Sequence, residues 1–79
     1  MQIETNNIPF GNISELGLLV RQTRKTLNLT QTQAAGLCNV GIRFLSELER
    51  GKASLHIGKV FKVLDGFGLR LSASKRGQP

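Results

Sequence analysis

The sequence predicts an all-α domain of four to five short helices followed by one short C-terminal strand. Three observations carry this expectation. Apolar residues recur at three- and four-residue spacing in separate runs, each run ends at Asn or Gly, and only residues 69–74 alternate with a period of two.

Residues 1–11 are polar and broken by Pro9 and Gly11, which reads as an extended arm with room for one short strand around Ile3. Asn12 with Glu15 three residues later has the spacing of a capping box, so a first helix starts there. Leu16, Leu19, Val20, Thr23 and Leu27 share one face of it, Arg21, Gln22, Arg24 and Lys25 lie mostly off that face, and Asn28 is a left-handed stop. Thr30 and Gln33 form a second box, opening a short helix over 31–37. Its Ala34 and Ala35, beside Leu37, let another helix approach closely. Asn39 tolerates the positive φ of a tight turn. A third helix, from about 41 to 49, carries Phe44, Leu45 and Leu48 and stops at Gly51. Ser54 is placed as the cap of a fourth, with a stripe of Ile57, Val60, Phe61 and Leu64 and an end at Gly66 and Gly68.

In the predicted strand, Leu69, Leu71 and Ala73 alternate with Arg70, Ser72 and Ser74. A lone strand is unstable in water, so it needs either the arm or the same strand of a second subunit. The tail 75–79 reads as disordered, leaving 12–68 as the helical domain. Within it, the helices over 31–37 and 41–49 are joined by three or four residues, the helix-turn-helix arrangement.

At 79 residues the chain supports one small domain, which buries only about 60–65% of its unfolded surface and gains from dimerisation. No apolar run approaches the roughly 20 residues needed to span a bilayer. The N-terminus lacks the charged start and apolar stretch of a signal peptide, so a cytoplasmic address and no membrane partner are expected. The single Cys38 can form no intramolecular disulfide. Eleven Lys and Arg against five Asp and Glu give a net charge of +6, which favours a polyanionic partner: nucleic acid, an anionic membrane or an acidic protein. The bland alternative is a basic surface that serves solubility alone.

Catalysis is excluded on residue types. His56 is the only histidine and reads as an exposed first-turn residue; with no second ligand near it, no metal site and no cofactor are expected. Cys38 has no base beside it and reads as a small core residue. The glycines at 36, 41, 51, 58, 66 and 68 make no phosphate-binding fingerprint after a strand.

The third helix, by contrast, has the make-up of a base reader. Leu45 and Leu48 supply a docking face, leaving Gly41, Ile42, Arg43, Ser46 and Glu47 outward. Arg43 can donate two hydrogen bonds to guanine O6 and N7, Glu47 can accept from cytosine N4, and Ile42 can meet a thymine methyl. Against this stands an ordinary i, i+4 ion pair between Arg43 and Glu47. Phosphate contacts are expected from Gln31 at a helix N-terminus, with Thr30 and Gln33 nearby, and from Arg21, Arg50 and Lys52. Arg24 and Glu49 stand at the ends of the first and third helices, as a partly buried pair locking the two together or as two independent surface charges.

The run LTQTQAAGLCNVGIRFLSELERGK resembles the Cro and phage-repressor class of helix-turn-helix proteins, whose signature of Leu-Thr-Gln, Ala, a turn and Leu-x-x-Leu-Glu-x-Gly ends here in Leu45, Leu48, Glu49 and Gly51. The resemblance covers roughly 16–71 and implies a lambda-repressor-like fold. VRQTRKTLNLTQ, FLSELERGK and VFKVLDGFGLRLSAS are most similar to the HipB-like antitoxins. That resemblance implies a homodimer paired through its C-terminal strands (here Leu69, Leu71 and Ala73), repression of its own operon through double-stranded operator DNA, and a HipA-like Ser/Thr kinase toxin as partner. It carries Gln31 over as a phosphate contact, Arg43 and Glu47 as groove-facing positions, and Arg24–Glu49 as a structural ion pair. Two positions depart from the family: Ala34 stands where Leu is usual, which calls for a bulky neighbour such as Phe44 or Phe61, and Asn39 stands where Gly is usual. Two other readings share the same helices. One is a free-standing regulator without a toxin, the other a module that binds only protein.

Overall fold

The computed structural model describes residues 11–73 and Lys75. Four helices follow one another: α1 (Ile13–Thr26), α2 (Gln31–Cys38), α3 (Ile42–Glu49) and α4 (Ile57–Gly66). The expected extended arm, with its one short strand around Ile3, lies outside the described residues but for Gly11, as does the expected disorder of the tail beyond Lys75.

Three of the four starts have a side-chain cap, and α3, which begins after Gly41, has none. The Asn12 side chain accepts from the Glu15 N–H, while the Glu15 carboxylate reaches back past Asn12 to the N–H of Gly11. Thr30 and Gln33 complete the reciprocal capping box, at 3.1 and 2.9 Å. The cap of α4 is His56 and not the expected Ser54: its Nδ1 accepts from the Lys59 N–H at 3.3 Å. That nitrogen stands as many bonds from Cα as the oxygen of a capping Asn, and the later start lets Leu55 pack half-buried on the core.

All four helices end alike. Asn28 and Asn39 (both φ 58°), Gly51 (φ 79°) and Gly68 (φ 74°) take the left-handed conformation. The next residue's N–H returns to the carbonyl five positions back: Leu29 to Arg24, Val40 to Ala35, Lys52 to Glu47 and Leu69 to Leu64, at 2.7–3.1 Å. These are Schellman turns, whose residue after the left-handed position normally seals an apolar contact. Leu29, Val40 and Leu69 do so against the core. Lys52 does not.

The core comprises Leu16 and Val20 of α1, Ala34, Ala35 and Cys38 of α2, Leu45 and Leu48 of α3, and Val60, Val63 and Leu64 of α4 with Phe67 beyond it. Three expected faces are rotated. On α4, Val63 is buried while Ile57 and Phe61 are exposed. Two overlapping stripes were available there, and the close approach of Gly66 to Cys38 selects the second: a Cβ on Gly66 would lie 2.6 Å from the Cys38 Sγ. Phe61 therefore does not compensate for Ala34, whereas Phe44 packs against the core half-buried. On α2, Leu37 is exposed and Cys38 takes the inward place. On α1, Leu27 is exposed and Arg24 is buried, because a carboxylate meets it.

The approach of α1 to α3 rests on Gly17. A Cβ there would lie 2.2 Å from the Leu48 carbonyl oxygen and 3.0 Å from that of Glu49, so the two backbones touch. Residues 69–73 form no strand ladder among the described residues. Leu69 and Leu71 are half-buried and Arg70 and Ser72 exposed, keeping the expected alternation, but Ala73 is exposed too. No described helix is long and apolar enough to cross a membrane.

Two glycine substitutions should act oppositely. Gly17→Ala must push α3 away and is expected to cost about 1–3 kcal/mol or more in urea unfolding. A Cβ on Gly36 meets nothing within 4 Å, so Gly36→Ala should gain about 0.5–1 kcal/mol. An unaffected Gly17→Ala variant would contradict the close crossing.

Candidate nucleic-acid interface

With Leu45 and Leu48 fully buried, α3 turns Gly41, Ile42 and Arg43 to solvent and leaves Ser46 and Glu47 half-buried. Nothing crowds Gly41 within 4 Å. Ile42 is one of the exposed large apolar side chains. The Arg43 side chain is 89% exposed, and its Nε donates to Glu47 Oε2 at 3.3 Å. The i, i+4 pair is therefore present, but it occupies Nε and leaves the two terminal amino groups, the fork that recognises guanine. Lys52 Nζ reaches the same Glu47 oxygen at 3.4 Å. Ser46 Oγ accepts from Arg50 Nη1 at 3.0 Å. Partial burial alone would push the Glu47 carboxyl up, but hydrogen bonds and charge from Lys52 and Arg43 outweigh it and hold the group below the ordinary value.

Behind this face lies the ion pair that fixes α3. Arg24 grips Glu49 with two bonds, Nε to Oε2 at 2.6 Å and Nη2 to Oε1 at 3.0 Å. Its Nη1 donates to the Leu29 carbonyl at 2.9 Å, and Gln31 Nε2 donates to Glu49 Oε1 at 3.1 Å. The side chains are 11% and 3% exposed, and no buried side-chain N or O among the described residues lacks a partner. Burial pushes the Glu49 carboxyl up, yet the bonds from Arg24 and Gln31, with the charges of Arg24 and Arg21, bring it below its ordinary value. In return, the bond to Glu49 raises the Arg24 guanidinium against the opposing effect of burial.

Above the pair opens a cleft of about 270 Å³ lined by Arg21, Arg24, Gln31, Ser46, Glu49 and Arg50. It gathers three of the six expected phosphate contacts: Arg21, Gln31 and Arg50. Three arginines face one glutamate there, at the N-terminus of α2, so the cleft attracts anions. Gln31 has a second task that its sequence position did not reveal, since its amide is shared with Glu49. Thr30 and Gln33 stand exposed beside it, their side chains committed to the cap. Lys52 lies apart from the cleft, against Glu47. Gly17 and the Leu29 carbonyl escaped sequence reading. For Gly17 a signal existed, because a glycine inside an amphipathic helix costs stability unless something packs there.

Cys38 is buried, its thiol 3.7 Å from the Val63 carbonyl and pushed up by burial, as suits a core residue. The described residues contain no group of three or more His, Cys, Asp or Glu able to hold a metal.

Comparison with known proteins agrees with this geometry. The helix-turn-helix family model matches residues 20–73. The HTH-type transcriptional regulator y4mF of Sinorhizobium fredii, itself uncharacterized, is 42% identical over 65 residues, covering 82% of this chain and 86% of that one. The chain belongs to the helix-turn-helix family, in its Cro and phage-repressor class, and is a transcriptional regulator of that type. Among solved structures, it superimposes on a chain of the HipA–HipB–O2–O3 complex with a TM-score of 0.79 at 16% identity, covering 89% of this chain and 99% of that one. For the HipB–O1–O2 complex the values are 0.78 and 16%, over 87% and 100%. At such identities the likeness is one of fold.

Because Glu49 titrates below the ordinary 4.5, the unfolded chain takes up this proton more readily than the folded one. The contribution of the pair is then full above about pH 5 and lost as pH falls through the depressed value. Glu49→Gln should flatten this part of the acid limb in thermal melts. Arg24→Ala, which leaves Glu49 buried and unpaired, should cost roughly 3–5 kcal/mol near neutral pH. An unchanged acid limb in Glu49→Gln would show that other carboxylates carry it.

Proposed function

We propose that the chain is a homodimeric, sequence-specific repressor that binds operator DNA, serves as the antitoxin of a HipA-like Ser/Thr kinase toxin, and represses its own operon from the cytoplasm. The observation that carries the DNA-binding part is the pairing of two features on one side of the molecule. The anion-attracting cleft of Arg21, Gln31 and Arg50 adjoins an α3 whose Arg43 extends free terminal amino groups into solvent. In this reading Arg21, Thr30, Gln31, Gln33, Arg50 and Lys52 hold phosphates. Gly41, Ile42, Arg43, Ser46 and Glu47 line the groove side, with Arg43 reading guanine.

Dimerisation is assigned to Leu69, Leu71 and Ala73. Support comes from the half-buried Leu69 and Leu71, which border a shallow groove of about 460 Å³ with Phe61, Leu64, Asp65 and Arg70. The toxin partnership is supported by likeness of fold to the HipA–HipB complex. A second reading, a free-standing regulator without a toxin, is favoured by the relative y4mF. That protein is far more similar in sequence than the HipB chains and is named only as a transcriptional regulator.

DNA binding is tested with duplexes selected from a randomised pool. Neutralising six to ten phosphates should cost about 10³–10⁵ in affinity between 50 and 200 mM salt. Gln31→Ala should weaken all sequences alike, and Arg43→Ala should relax preference at one base pair per half-site. Salt-insensitive binding would leave only a protein-binding role. Sedimentation should show a dimer that Leu71→Arg disrupts, and co-purification with a kinase-like neighbouring gene product separates antitoxin from free-standing regulator.

A further inference from the structure

Lys52 breaks the pattern of the four helix ends. At the other three, the residue after the left-handed position is apolar and packs on the core. Here it is a cation whose backbone N–H bonds the Glu47 carbonyl at 3.1 Å and whose Nζ meets the Glu47 carboxylate. The turn at Gly51 thus folds the chain back so that one residue holds Glu47 from both ends. Glu47 in turn holds Arg43 by Nε, one helical turn nearer the exposed start of α3. The three side chains make a relay whose middle member is the most buried: Lys52 is 47% exposed, Glu47 17% and Arg43 89%.

Resting on the DNA-binding reading above, we infer that Glu47 is a positioning residue that aims Arg43 at its base, with Lys52 as its anchor, and does not itself read a base pair. Three physical points support this. First, DNA presents a dense negative field, and a bare carboxylate entering it is repelled, whereas one flanked by two cations belongs to a cluster of net charge +1. Second, Oε2, the oxygen that both cations hold, could meet cytosine only by giving up those contacts. Third, a bond at Nε restrains the long Arg43 side chain while leaving both terminal amino groups for guanine O6 and N7. Part of the ordering that binding demands is then present in the free protein. Both cations share Oε2, so direct contact to cytosine N4 would have to run through Oε1, and experiment can separate the two roles.

The probes are duplexes selected by the wild-type protein from a randomised pool, bound by wild type, Glu47→Ala, Glu47→Gln, Arg43→Ala and the double variant Glu47→Ala/Arg43→Ala. Circular dichroism confirms that each is folded. Glu47→Ala should weaken the selected duplex roughly two- to tenfold, as expected for releasing one long side chain, and relax preference at the same base pair as Arg43→Ala. In the Arg43→Ala background it should do nothing further. Glu47→Gln, which still accepts from Nε, should retain most of the preference. Relaxation at a different base pair, or additive losses in the double variant, would overturn the inference in favour of direct reading. Failure of the wild-type protein to select any duplex would instead refute the DNA-binding reading itself.

Discussion

The bidentate contact between Arg24 and Glu49 is the constraint on which this small domain most depends. Four hydrogen bonds converge on it from α1, the turn after α1, α2 and α3, and its members are almost wholly removed from water. Two charges in so dry a place are tolerable only because each satisfies the other and neighbouring donors and acceptors complete the set. The same interaction accounts for the inward turn of Arg24 on an otherwise apolar face. It also accounts for the placement of Gln31, whose amide ties the start of α2 to the end of α3.

Around that polar centre the packing is of backbone on backbone. Gly17 lets α1 rest on the carbonyls at the end of α3, Gly51 passes over Ser14, and Gly66 sits on Cys38. Close approach brings small residues together, and the two Ala and the single Cys of the core stand where the helices come nearest to one another. The ion pair fixes the C-terminal end of α3 and the two buried leucines fix its roll, so its first turn projects from a rigid base.

Much of this is readable from the chain. The cap at Asn12, the capping box at Thr30, the left-handed stops at Asn28, Asn39, Gly51 and Gly68, and the Arg24–Glu49 pair all follow from local chemistry or from opposite charges at meeting helix ends. At Asn12 only half of the expected box forms, because Glu15 bonds Gly11 instead. The failures share one cause. The stripe on α4, the inward residue of α2 and the cap at His56 each had two locally acceptable solutions, and only tertiary contact chooses between them. Phe61 and Val63 both continue a helical period, and the packing of Gly66 on Cys38 decides for Val63. Gln31 is a similar case, since nothing in its neighbourhood along the chain announces a bond to Glu49, eighteen residues on. Residues 69–73 are different in kind, because a ladder is a property of two strands and one chain's alternation can only prepare it.

The crossing at Gly17 separates what holds α3 from what α3 displays. None of the atoms that lock the helix belong to its outer side chains: they are the carbonyls of Leu48 and Glu49, the buried leucines and one carboxylate at its end. Positions 42, 43, 46 and 47 can therefore change identity with little penalty to the scaffold. Under the DNA-binding reading proposed above, the outer face of α3 is then interchangeable within a lineage of such proteins, like type set in a fixed frame. Divergence toward new target sequences need not first pass through an unstable intermediate.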